Sequence, residues 1–153
     1  TYIVGAKIKN MSKDIKKQIL DIDSYTKLND DTKIKTIDYN GKKLLVTHSL
    51  QRAKKDKHER DKAIKKLQDR LKSSKSVKSQ LSNNGYKKYL QLQSNNDDKS
   101  TCDLSIILNE TKIKEDEAWD GLKGIITNNT TLSNEELIHQ YSNLWQIEES
   151  FRI

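Results

Sequence analysis

The alternation of apolar and polar positions breaks the chain into short elements separated by polar joints. Residues 2–8 form a short apolar run suited to a buried strand. Ser12-Lys13-Asp14 opens a short helix that carries Ile15, Ile19 and Ile22. Residues 33–39 and 42–48 flank Asn40-Gly41. That dipeptide predicts a two-residue hairpin, because both turn positions need positive φ. In the resulting register Asp38 faces Lys43, and Ile37 faces Leu44.

Residues 50–72 read as a highly charged helix. Leu50, Ala53, Lys57, Arg60, Ile64, Leu67 and Leu71 form a heptad seam whose middle is occupied by two cations, which a regular coiled coil would not carry. Residues 73–84 are polar and turn-rich, and Tyr86, Tyr89 and Leu90 suggest a small helix or loop packed back on the long one. Residues 94–100 are expected to be an exposed loop. Residues 104–108 and a second run through Ile113 read as strands across a turn at Asn109-Glu110. Asp120-Gly121 then turns into a short apolar strand over 122–126, stopped by Thr127-Asn128-Asn129. Ser133 and Glu136 have capping-box spacing and open an amphipathic helix that runs to the end. The pattern is α+β, with no internal repeat.

Composition narrows the function classes. Only 33% of residues are hydrophobic and another 33% are charged, so a large self-sufficient core is not expected. No apolar run approaches the roughly 20 residues of a membrane-spanning helix. The single Cys102 excludes a disulfide scaffold, and with three scattered His it excludes a zinc finger. The net charge of +7 favours acidic partners, above all nucleic acid. Residues 52–78 hold 12 basic and 4 acidic residues, a local +8 that accounts for the whole excess. Lys dominates, Asn is abundant and Pro is absent, as an AT-rich coding bias would produce. Such a bias weakens Lys content as a functional signal. It also weakens Asn-x-Ser/Thr matches such as Asn128-Asn129-Thr130. The chain starts on Thr1, just before a strand-like run, and stops at Ile153 inside an unfinished helical pattern, which reads as a piece of a longer protein.

The last helix carries the most specific chemistry. At about 100° per residue, Leu144, Tyr141 and Leu137 lie within about 40° of Glu148, and Trp145 and Phe151 within about 60°. Glu148 therefore sits in the middle of the apolar face. A carboxylate buried there must be paired, protonated or bound to a metal. Arg152, one turn on, is the partner for a structural ion pair.

Residues 141–152, Tyr-Ser-Asn-Leu-Trp-Gln-Ile-Glu-Glu-Ser-Phe-Arg, resemble the helix of insertion-sequence DDE transposases with the YREK signature. Tyr141 and Glu148 match that signature in register. Upstream, residues 120–128, Asp-Gly-Leu-Lys-Gly-Ile-Ile-Thr-Asn, are similar to the strand ending in Thr-Asn that leads into this helix. Residues 49–56, Ser-Leu-Gln-Arg-Ala-Lys-Lys-Asp, continuing to Arg60, resemble an Arg-Ala-x-x-Asp segment of one branch of the family. The signature Arg falls on Leu144, so no phosphate contact is expected there, and the signature Lys falls beyond Ile153, with Arg152 covering part of its role. The base-stacking Trp of some members falls on Lys123, and the role is not carried over. Trp119 stands near enough to be considered, with core packing the favoured reading.

The resemblance implies an RNase H-like core in which two Asp and one Glu hold two Mg²⁺ or Mn²⁺ ions for phosphoryl transfer. Residues 1–119 would be the insertion that separates the second Asp from the Glu, and 120–153 the strand and Glu-bearing helix of the core. Both Asp would then lie upstream of Thr1, leaving Glu148 as the catalytic, metal-ligating residue here and the fragment inactive alone. Tyr141, Arg152, Arg52, Lys54, Lys55, Lys62 and Lys66 are the expected DNA contacts, in a bacterial, nucleoid-associated homodimer acting on transposon ends and target. The other acids, Asp120, Asp21, Asp23, Asp97 and Asp98, read as solvated turn residues. His48, His58 and His139 are isolated from any nucleophile pattern, and the five Gly form no phosphate-cradling loop. The rival functions are a non-catalytic basic nucleic-acid-binding module working through residues 50–78, and a coiled-coil interaction domain on residues 50–71.

Overall fold

The computed structural model describes residues 1–73, 87–94 and 104–152. Tyr86, Cys102, Asp97, Asp98 and most of the expected 73–84 and 94–100 loops lie outside the described residues. The chain is α+β. It divides into two compact units, residues 1–53 with 121–153 and residues 54–120.

In the first unit the strands are β1 (Ile3–Ala6), β2 (Thr26–Lys27), β3 (Thr32–Tyr39), β4 (Lys42–Ser49) and, late in the chain, β7 (Leu122–Thr127). They form one antiparallel sheet of order β1-β7-β4-β3-β2. The hairpin stands as its sequence predicts: Ile37 pairs with Leu44 and Asp38 with Lys43. Asn40 and Gly41 take φ of 53° and 76°.

Leu44, Leu45 and Val46 are all fully buried although their side chains alternate between faces. Both faces of β4 must therefore be covered. On one face helix α4 (Asn134–Ser150) sets Leu137 against Ile34, Leu45 and Ile125. On the other face lies helix α1 (Lys13–Leu20), whose Gln18 carbonyl accepts from Lys35 Nζ at 2.7 Å. The buried Tyr25 hydroxyl donates to the Ile19 carbonyl at 2.7 Å, and burial, with Asp21 adding to it, pushes that phenol well above its ordinary value.

Helix α2 (Leu50–Ser73) starts in this unit. Asp31 supplies its N-terminal cap: its carboxylate accepts from the Gln51 amide at 2.8 Å and the Ser49 hydroxyl at 2.7 Å.

The second unit contains the rest of α2, the antiparallel pair β5 (Leu90–Ser94) and β6 (Leu104–Leu108), and helix α3 (Glu110–Glu117). Here the expected strand through Ile113 is corrected to a helix. Asn109 is the reason: its side chain accepts from the Lys112 amide at 3.1 Å, which caps a helix and ends β6.

The expectation for Asp120 is corrected as well. It is not a solvated turn residue, because it grips Arg60 through two hydrogen bonds of 2.6 and 2.8 Å. Arg60 is only 6% exposed, with Glu117 at 3.8 Å as a second acid. Arg60 therefore holds the middle of the α2 seam, where a coiled coil would place a hydrophobe.

Residues 120–153 do not stand apart from 1–119: β7 pairs along both β1 and β4, so the strand and helix of the C-terminal segment share a core with the first 53 residues.

The Arg60–Asp120 pair generates a stability prediction. Asp120→Ala leaves a buried guanidinium without its main partner and should cost up to about 3–5 kcal/mol. The paired replacement Arg60→Met with Asp120→Ala should recover part of that loss. Urea melts of Asp120→Ala, Arg60→Met and the double variant check it, and a double-variant loss equal to the sum of the two single losses would show that the pair is not coupled.

Candidate functional site

Three local devices position α4. Thr127 Oγ1 accepts from the Asn129 amide at 3.1 Å, and Asn129 Oδ1 accepts from the Thr131 amide and hydroxyl and the Leu132 amide. The Asn128 side chain accepts from the Tyr2 amide at 3.0 Å, fastening the turn to the start of β1. Ser133 and Glu136 then close the capping box expected of them, with reciprocal bonds of 3.2 and 2.9 Å.

The helix has two unlike halves. Leu137, Ile138 and Tyr141 pack on the sheet core. From Ser142 to Ser150 every residue is exposed. Leu144, Trp145 and Ile147 are exposed by 44–55%, and Phe151, just past the helix, by 82%. The reason is topological: β1 is four residues long and is the edge of the sheet, so no further strand of this unit covers the apolar stripe.

Between β1 and this half of the helix runs a groove of about 440 Å³, lined by Ile3, Val4, Gly5, Tyr141, Leu144, Trp145, Ile147 and Glu148. Glu148 is the groove's single carboxylate and is exposed. The expected burial and ion pairing are therefore corrected. Among the described residues no ion pair joins Glu148 to Arg152, which is exposed at the helix end and donates its amide to the Glu149 carbonyl. An exposed carboxylate has no desolvation cost to offset.

Tyr141 is half-buried at the inner end of the groove. Its hydroxyl rests on Gly5, where a Cβ would stand only 2.7 Å away, so any larger residue there would push the end of the ring aside. Across its ring lies Lys123, with Nζ 4.7 Å from the ring centroid. Burial, and then the Arg52 charge, hold the Lys123 ammonium below its ordinary range. Lys123 was passed over in the sequence because a family role did not fit it. Strand alternation with Ile125 would have placed it on the helix side of the sheet.

The remaining expected contacts lie on α2. Arg52, Lys54, Lys55, Lys62 and Lys66 are all exposed. At about 100° per residue, Lys55, Lys62 and Lys66 fall on one line, opposite the face that carries Ala53, Arg60 and Ile64, with Lys54 about a quarter turn round. Trp119 is half-buried, Asp21 and Asp23 are exposed, and His58 and His139 are exposed. His139 Nε2 lies 3.3 Å from the Asn143 amide, and no nucleophile appears beside it.

Among the described residues no group of three or more His, Cys, Asp or Glu side chains could hold a metal ion. Glu148 could supply one oxygen ligand, but the described residues do not fit a two-metal site by themselves. No described helix is long and apolar enough to cross a membrane. No family model, no curated protein and no solved structure matches the chain.

Two predictions follow from the two ends of α4. Glu148→Gln should leave the unfolding free energy of the chain, read from a urea melt, unchanged within about 0.5 kcal/mol, as for other exposed sites; a large loss would restore the buried ion pair. The Ser133 amide and hydroxyl hold the Glu136 carboxylate below its ordinary range. The cap's contribution is thus fully present above the unfolded Glu value of about 4.3 and is lost as pH falls through the depressed folded value. Glu136→Gln should flatten the acid limb of a stability-against-pH curve.

Proposed function

We propose that this chain belongs to a DNA transposase of the insertion-sequence DDE class, with Glu148 as one of its metal-ligating carboxylates and the lysine line of α2 along DNA. The observation that carries the reading is Glu148 itself: an exposed acid, the single carboxylate lining a groove whose other side chains are aliphatic or aromatic, seven residues after Tyr141 on the same helix face. A surface glutamate needs no such setting. A carboxylate awaiting a hard cation must be reachable and must not be neutralised by an arginine.

In this reading Mg²⁺ or Mn²⁺, when bound, activates the attacking oxygen and stabilises the leaving one. Two further carboxylates would have to come from elsewhere in the protein, so no catalytic step is assigned to residues 1–153 alone. The strand–turn–helix from β7 to α4 would belong to an RNase H-like core. The complete protein would cut and join DNA at the nucleoid as a homodimer.

The second reading, a non-catalytic basic nucleic-acid-binding module, is favoured by one observation. Lys55, Lys62 and Lys66 form an exposed line that the fold does not use for packing. Such a surface would bind the phosphate backbone without reading sequence.

Both readings share a test on α2. The chain should bind DNA weakly and with little sequence preference. Neutralising about four phosphates gives a slope near −3.6 in log K against log salt. Reversing Lys54, Lys55, Lys62 and Lys66 to Glu should abolish binding, whereas unchanged affinity would reduce the line to a solvated face. Cleavage separates the readings. Residues 1–153 should not nick supercoiled plasmid in Mg²⁺ or Mn²⁺. In a longer polypeptide carrying the missing carboxylates, Glu148→Gln should eliminate strand cleavage and leave DNA binding intact. Cleavage that survives the change would sink the transposase assignment.

A further inference from the structure

The register of the sheet puts a cation where the fold has little use for one. Lys123 pairs with Thr47, and two residues on Ile125 pairs with Leu45, so Lys123 shares the face of β7 that carries the α4 core. A β-branched hydrophobe at this position would extend that core and suit the strand better. Instead a lysine is half-buried with its ammonium over the Tyr141 ring. Among the described residues no carboxylate pairs with it, and the charge that bears on it is a second cation, Arg52.

A half-buried ammonium with no carboxylate partner is an unfavourable arrangement until an anion joins it. The Tyr141 ring fixes the Lys123 head group without neutralising it. The same ring forms the inner wall of the Glu148 groove. Seven residues of helix separate Tyr141 from Glu148, or about 10.5 Å along the axis.

We propose that Lys123, seated on Tyr141 beside the groove, is a phosphodiester-binding residue that grips the backbone of the nucleic-acid strand that the groove receives. The inference rests on the nucleic-acid reading above but not on the α2 lysines, and it concerns binding, not cleavage. Lys123 here makes one charge-assisted contact with a backbone phosphate and reads no base.

The test uses the chain as it stands, with a short labelled duplex and the matching single strand as probes. Lys123→Gln should weaken binding and reduce the salt slope by about 0.9 on the duplex or about 0.7 on the single strand, the signature of one lost phosphate contact. Lys123→Arg should keep the slope. A purely structural lysine would lower the melting temperature without moving the slope, and that result overturns the proposal. As a second measurement independent of any variant, chemical modification of the Lys123 amine in the wild-type chain should be suppressed by the bound strand. Equal modification with and without DNA overturns the proposal. If the four-lysine reversal on α2 abolishes binding while Lys123→Gln leaves the slope intact, this inference fails and the α2 reading stands. If the reversal has no effect while Lys123→Gln lowers the slope, the α2 surface fails and Lys123 stands. No binding of either probe by the wild-type chain overturns both.

Discussion

The pairing of β7 with two partners at once is the constraint on which the first unit depends. Ile125 lies opposite Gly5 on one side and Leu45 on the other, which joins residues about 80 to 120 positions apart in sequence. Closing such long loops costs chain entropy, although the cost rises only slowly with length. The return is a central strand with both edges hydrogen-bonded and a helix face covered by Leu137. Everything proposed about function lies downstream of this pairing. It places β1 at the sheet edge, sets Gly5 under Tyr141, and leaves the second half of α4 running past the last strand.

Much of this was legible where a single dipeptide or spacing has one low-energy outcome. Asn40-Gly41 gave the hairpin and its register because few other residues tolerate positive φ at both turn positions. Ser133 with Glu136 gave the helix start because each satisfies the other's free backbone donor. The failures have an equally local cause. The Thr-Lys-Ile-Lys segment after Glu110 alternates like a strand, and the Asn109 side chain overrides that alternation by capping a helix. Asp120 looked solvated because its partner stands 60 residues earlier, and no local pattern reports a pairing at that distance.

Glu148 shows how periodicity can mislead about burial. The angles around α4 correctly gather Leu137, Tyr141, Leu144 and Glu148 on one side. An apolar stripe is buried only where something lies against it, and here the sheet runs out after Tyr141. Periodicity gives the direction of a side chain and leaves open what it meets. The carboxylate therefore needs no ion pair, which removes the structural explanation that the sequence favoured. It does not by itself supply a catalytic one, because the described residues bring no second acid to the groove.

Placement also decides which of the many lysines carry meaning. A coding bias toward Lys fills exposed positions easily, since an exposed lysine costs the fold almost nothing. It cannot account so simply for position 123, where the side chain is half-buried on the face of β7 that carries Ile125, with its ammonium over the Tyr141 ring. Tolerance of an unfavourable residue is more informative than abundance of a neutral one. The Lys55, Lys62 and Lys66 line falls between these cases: its members are individually cheap, but they align on the side of α2 opposite Arg60. Desolvation thus ranks the basic residues in an order that net charge cannot. In that order Lys123, held against the Tyr141 ring, stands ahead of the exposed lysines of α2.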